Sequence, residues 1–122
     1  MMDSKVLNAY SKKHADIERL KALYARLLEI VPGDVSPMEM KAVPERKDEL
    51  VQEIIALQQE FEAMEPEISA FLDSIPDQIL ATAGSLRYRS FYTWREVGEK
   101  MGYSPSTIRV MWSRYLKSLK DL

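Results

Sequence analysis

The sequence predicts an all-α protein: an N-terminal antiparallel helical hairpin of coiled-coil character, then a C-terminal three-helix helix-turn-helix unit. Three observations predict it. Apolar residues recur at heptad steps through most of the first 75 positions. Two capping signatures, Thr93-Trp94-Arg95-Glu96 and Ser104-Pro105, open short helical patterns near the C-terminus. No segment carries a strand signal, and there is no internal repeat. The expected division is a hairpin over 1–75, available for oligomerisation, and a helix-turn-helix unit over 76–122.

The first helix is expected over 5–30. Val6, Tyr10, Ile17, Leu20, Tyr24, Leu27 and Val31 form an alternating seam that only Lys13 interrupts. Ser4 is the expected N-cap, and Pro32-Gly33 the stop. Residues 32–44 hold Pro32, Gly33, Asp34, Ser36, Pro37 and Pro44, and read as a turn-rich connection. The second helix is expected over 45–75. Leu50, Ile54, Leu57, Phe61, Met64, Ile68, Phe71 and Ile75 follow steps of four and three without interruption. Pro66 lacks a backbone donor and crowds the preceding turn, which predicts a kink or a break into a new helix. Two seams joined by a short connection make an antiparallel hairpin. The surplus of the second seam is free to pack on the C-terminal unit or on another chain.

From Pro76 onward the pattern tightens. Pro76 suits a helix start after Ser74 or Ile75, with Leu80, Ala83, Leu86 and Tyr88 facing inward. Ser90-Phe91-Tyr92 reads as a connection. Thr93 and Glu96 make a capping box for a helix that ends near Met101, where Gly102 suits a left-handed cap. Ser104 caps a last helix, Pro105 to about Lys120. Trp94, Val97 and Met101, with Ile108, Met111, Trp112, Tyr115 and Leu119, are the expected core of this unit.

Composition narrows the function. With 122 residues the chain fits one domain, or one small domain with an appendage. It has no cysteine and one histidine, His14, so thiolate chemistry, Cys-ligated zinc and His-pair metal sites have no material. Neither GxxxxGK[ST] nor GxGxxG occurs among four glycines. The acids Glu60, Glu62, Glu65 and Glu67 read as a solvated face, with no base beside them. The expectation is a non-enzymatic protein with no cofactor, no metal, no membrane partner and no small-molecule substrate. The first residues, Met1-Met2-Asp3-Ser4-Lys5, lack the build of a signal peptide, which points to the cytoplasm.

The net charge of −2 hides a split. Residues 1–75 carry nine Lys or Arg against fifteen Asp or Glu, whereas 76–122 carry eight against four. A basic C-terminal part suggests a polyanion partner. The free face of the last helix is Ser106, Thr107, Arg109, Val110, Ser113, Arg114 and Lys117, with no acid until Asp121. In a helix-turn-helix the second helix enters the major groove of duplex DNA. Ser106, Arg109, Val110 and Ser113 are then the candidate base readers, Arg109 foremost because a guanidinium bridges two acceptors on guanine. Thr107, Arg114 and Lys117, together with Arg87, Arg89 and Arg95, are the candidate phosphate contacts. Arg87 has a second reading, as the partner of a hairpin acid. Trp94 and Trp112 fall on the apolar stripe and read as core.

Taken together, Leu86-Arg87-Tyr88, Thr93 to Gly98, Met101 to Ile108, Arg114-Tyr115-Leu116 and Leu119 resemble the DNA-reading region four of sigma factors. More closely, the pattern resembles small phage and prophage transcriptional regulators of the ArpU and RinA type. The resemblance covers about residues 85–119, the front half matching in layout only. It implies a sequence-specific DNA-binding regulator that acts with host RNA polymerase in a bacterial or phage-infected cell. Two positions depart from the pattern. Gly98 stands where alanine is usual, which predicts a looser helix, and Tyr115 stands where a small residue is usual. A homodimer is the expected assembly, since one such unit reads few base pairs. The alternative reading is a helical scaffold or adaptor in phage assembly or DNA packaging.

Overall fold

A computed structural model describes residues 2–31, 33 and 35–120. They form five α-helices, and no strand occurs among them: α1 Ser4–Leu28, α2 Pro37–Asp73, α3 Gln78–Tyr88, α4 Trp94–Met101 and α5 Pro105–Lys120. The stop expected at Pro32 lies outside the described residues. No helix among the described residues is long and apolar enough to cross a membrane.

Asp3, not Ser4, caps α1. Its carboxylate accepts from the Val6 N–H at 3.0 Å and its carbonyl from the Leu7 N–H at 3.2 Å. The Val6 N–H, and after it the Lys5 N–H, hold the Asp3 carboxyl below its ordinary pKa. A carboxylate also opposes the positive end of the helix dipole, an advantage over a serine hydroxyl.

The second helix begins well before residue 45, and the expected connection over 32–44 is half helix. Ser36 Oγ accepts from the Glu39 N–H at 3.2 Å, and the Glu39 carboxylate accepts from the Ser36 N–H at 3.3 Å. That reciprocal pair is a capping box, with Pro37 at the first helical position, where it forfeits no bond. Pro44 and Pro66 both lie inside one unbroken helix of 37 residues. Of the two outcomes expected at Pro66, the break does not occur.

The chain divides into two compact units, but not at 75/76. One is Lys12–Ala63; the other joins Met1–Ser11 to Met64–Leu122. In the Lys12–Ala63 unit, Ile17, Leu20 and Leu50 are buried. Lys13, the interruption in the first seam, reaches Glu60 at 3.0 Å, so its charge is paired where the two helices meet. The rings of His14 and Phe61 lie 5.9 Å apart beside it. Val31, expected in the seam, is 52% exposed beyond the end of α1.

The other unit has a core of side chains from all five helices. Leu7 and Tyr10 of α1, Ile68 and Leu72 of α2, Ala83 and Tyr88 of α3, Val97 of α4 and Ile108, Trp112 and Leu116 of α5 are buried. Leu7, Leu72 and Leu116 lie outside the apolar positions expected from the pattern. Pro76 precedes the start of α3 rather than opening it: Asp77 is the cap, accepting from the Leu80 N–H at 3.0 Å. Between α3 and α4 the chain turns through Phe91 at φ +58°, and the Phe91 ring lies 5.8 Å from that of Tyr10.

The α4–α5 junction has the expected form. Thr93 and Glu96 complete their capping box, and Gly102 ends α4 at φ +78°. The Tyr103 N–H returns to the Gly98 carbonyl at 2.9 Å, closing the turn. Ser104 Oγ accepts from the Thr107 N–H at 3.2 Å and opens α5. At Gly98, the expected weak point of α4, the structure shows a steric reason for glycine. A Cβ there would lie 2.6 Å from the Tyr103 carbonyl oxygen and 3.2 Å from the Pro105 nitrogen. Both are backbone atoms of the turn, so the absent side chain is what lets the turn fold against α4.

Two outcomes follow. Gly98→Ala will destabilise the protein in denaturant titration by about 1–2 kcal/mol net, since an overpacking cost of about 2–3 kcal/mol outweighs alanine's helix-propensity advantage of ~1 kcal/mol; equal or higher stability would contradict the close approach. The Thr93 backbone N–H, then its hydroxyl, holds the Glu96 carboxyl below its ordinary pKa. The stability this gives is full above the unfolded carboxylate's pKa and is lost as pH falls through the lower folded value. Thermal melts should therefore show a shallower acid-side decline for Glu96→Gln than for the natural chain.

Candidate nucleic-acid interface

The two faces of α5 follow from one repeat. Ile108, Trp112 and Leu116 are buried, and Met111, Tyr115 and Leu119 are half-buried beside them. At about 100° per residue these six share one side of the helix. Ser106, Thr107, Arg109, Val110, Ser113, Arg114 and Lys117 are all exposed on the other. Six of the seven, all but Thr107, line a single open hollow of ≈ 480 Å³. The four candidate base readers are among them.

Charge on this face is unopposed within the helix. From Pro105 to Lys120 the sequence has Arg109, Arg114, Lys117 and Lys120 and no acid. None of these cations forms a salt bridge among the described residues. Elsewhere, Lys12, Lys21 and Arg46 have acidic neighbours on their own helices.

The three arginines ahead of α5 divide differently. Arg87 is turned inward: it donates to the Tyr92 carbonyl at 3.1 Å, and its guanidinium lies 5.6 Å from the Tyr88 ring centre and 5.7 Å from that of Trp94. It is turned away from where a phosphate would lie, and it pairs with no hairpin acid among the described residues. Its long side chain instead covers the aromatic core, with the charge held over ring faces. Arg89 ties α3 to the end of α2, meeting Asp73 at 2.6 Å, the Ser69 carbonyl at 3.3 Å and the Ser69 hydroxyl at 3.2 Å. A phosphate would have to displace Asp73. Arg95 stays on the surface, its side chain 83% exposed, with only Glu99 at 3.4 Å beside it. Thr107 is exposed, but its hydroxyl accepts from Ser104 Oγ at 2.6 Å.

No signal in the sequence shows that α1 borders this face. Ser4 and Asn8 join Arg109, Ser113 and Trp112 around a crevice of ≈ 150 Å³. The indole Nε1 of Trp112 is buried, with no partner in hydrogen-bonding geometry among the described residues. Arg109 therefore stands at the edge of the exposed face, over the crevice, while Ser106, Val110, Ser113 and Lys117 form its middle. No local pattern could have placed Ser4 and Asn8, because the approach spans a hundred residues of chain.

Among the described residues no group of three or more His, Cys, Asp or Glu is arranged to hold a metal ion. Comparison with known proteins adds no relative: no family model, curated protein or solved structure matches the chain.

The division of arginines is open to a direct check. Arg87→Ala should cost about 1–3 kcal/mol in chemical denaturation, through the lost carbonyl bond and ring contacts. Arg114→Ala should stay within about 0.5 kcal/mol, as an exposed substitution does. Equal losses would mean that the inward placement of Arg87 is wrong.

Proposed function

We propose that this chain is a sequence-specific duplex-DNA-binding protein of the phage-regulator type, with α4 and α5 as a helix-turn-helix and α5 lying in the major groove. The observation that carries the reading is the acid-free exposed face of α5, where Arg109, Arg114 and Lys117 have no ion-pair partner among the described residues. A helix with one apolar stripe and one basic face has the shape and charge that a major groove admits. The likeness of residues 85–119 to sigma region four supports the same reading.

Roles follow from position. Lys117 and Arg114 neutralise phosphates. Ser106, Val110 and Ser113 meet base edges, and Arg109 reaches a guanine from the flank of the face. Arg95 adds a phosphate contact from α4. Arg87 and Arg89 support the fold instead, through the bonds described above. The N-terminus of α5 adds a favourable dipole end for a phosphate. Two copies bound on a two-fold axis would extend the few base pairs that one such helix reads. A polymerase contact belongs to the same proposal and rests on the family likeness alone.

The test is a selection of sites from random duplexes, followed by titration of the selected and of a random duplex at several salt concentrations. Lys117→Ala should weaken binding to both alike and reduce the salt slope by about one unit. Arg109→Ala should remove the preference for the selected site by about 1–3 kcal/mol. Absence of duplex binding at low salt would reject the proposal in favour of a protein-binding scaffold or adaptor.

A further inference from the structure

Val110 is one of few large apolar side chains left exposed in this protein, at 46%. Its place on α5 is unusual in a second respect. The buried stripe of α5 centres on Ile108, Met111, Trp112 and Tyr115; at about 100° per residue, Val110 points almost directly away from it. An apolar residue at the margin of a core stripe is a spill-over of the core, but one at the farthest point from it has no partner within the unit. Around Val110 stand Ser106, Ser113, Arg114 and Lys117, all exposed and all lining the same hollow. A polar and basic face with a single branched aliphatic group at its middle is poorly suited to a protein groove, which would need an apolar cluster. It is well suited to the floor of a major groove, where the one apolar feature is the C5-methyl of thymine.

We infer that Val110 reads a thymine methyl group. This rests on the DNA-binding reading above and adds a chemical specificity to it: the recognised site carries a thymine opposite the middle of α5. Placement against a methyl removes the valine surface from water, whereas cytosine or uracil leaves it facing a bare ring edge. Arg109, at the flank of the face, then reads a neighbouring base, so the two adjacent residues sample different positions of the site.

The experiment replaces each thymine of the selected site in turn by uracil, which keeps every hydrogen bond and deletes one methyl. Fluorescence anisotropy follows binding of the natural chain, of Val110→Ala and of Val110→Thr. One uracil substitution should weaken the natural chain about fourfold, the value of one buried methyl-sized group. The same substitution should matter less than twofold to Val110→Ala, whose side chain ends at Cβ, and remain costly to Val110→Thr, which keeps one γ-methyl. Val110 is exposed and alanine favours helix, so neither variant threatens the fold. Binding without any uracil penalty that depends on residue 110 overturns this inference and leaves the DNA reading standing. No binding to any duplex overturns both.

Discussion

The indole of Trp112 is the feature on which the C-terminal part of the molecule depends. Its ring lies 5.7 to 6.3 Å, centre to centre, from those of Phe71, Tyr88, Trp94 and Tyr115, which α2, α3, α4 and α5 supply. A Cβ at Gly84 would lie 2.8 Å from its edge, so α3 is glycine where the ring passes. Large flat side chains of this kind contribute both area and geometry, since aromatic pairs favour tilted and edge-on contacts. With one face of α5 fixed against these rings, the rotation of the helix about its axis is fixed too. The outward direction of Arg109, Val110, Ser113 and Lys117 is therefore set by packing on the opposite side.

That constraint also separates two kinds of cation that a charge count treats alike. Arg87 and Arg89 are used by the fold, one over aromatic faces and one on Asp73 and Ser69. Arg114 and Lys117 sit on a surface that the helix keeps clear of acids. The excess of basic residues after position 75 thus overstates the charge available to a polyanion. What distinguishes the α5 face is the spacing of its cations over neighbouring turns and the lack of acids among them.

How much of this was legible in the sequence depended on the range of the interactions. The bounds of α4 and α5 and the turn between them were read correctly because their signals are local: Thr93 with Glu96, Gly102, and Ser104 with Pro105 lie within one turn of what they control. The exposed face of α5 followed from the same periodicity. Ser36-Pro37-Met38-Glu39 is an equally local signature, but Pro32, Gly33, Pro37 and Pro44 around it carry a turn signal that masks the helix it opens. Leu72 and Leu116 were within reach of the pattern, four residues after Ile68 and Trp112. The inward turn of Arg87, the approach of Ser4 and Asn8 to α5, and the division of the chain into units depend on contacts between distant segments. No periodicity encodes those.

The basic end of this protein is not a cassette. Its interior takes a wall from Ile68, Phe71 and Leu72 and another from Leu7 and Tyr10, at opposite ends of the long front helices. A fragment that starts at residue 76 would leave Trp112 open to water on the side where Phe71 stands. Recombination that exchanged only the coding sequence from residue 76 onward would inherit α5 without the residues that hold its orientation. Shuffling that keeps this unit intact must therefore obey an unobvious rule, under which Met1–Ser11 travels with Met64–Leu122.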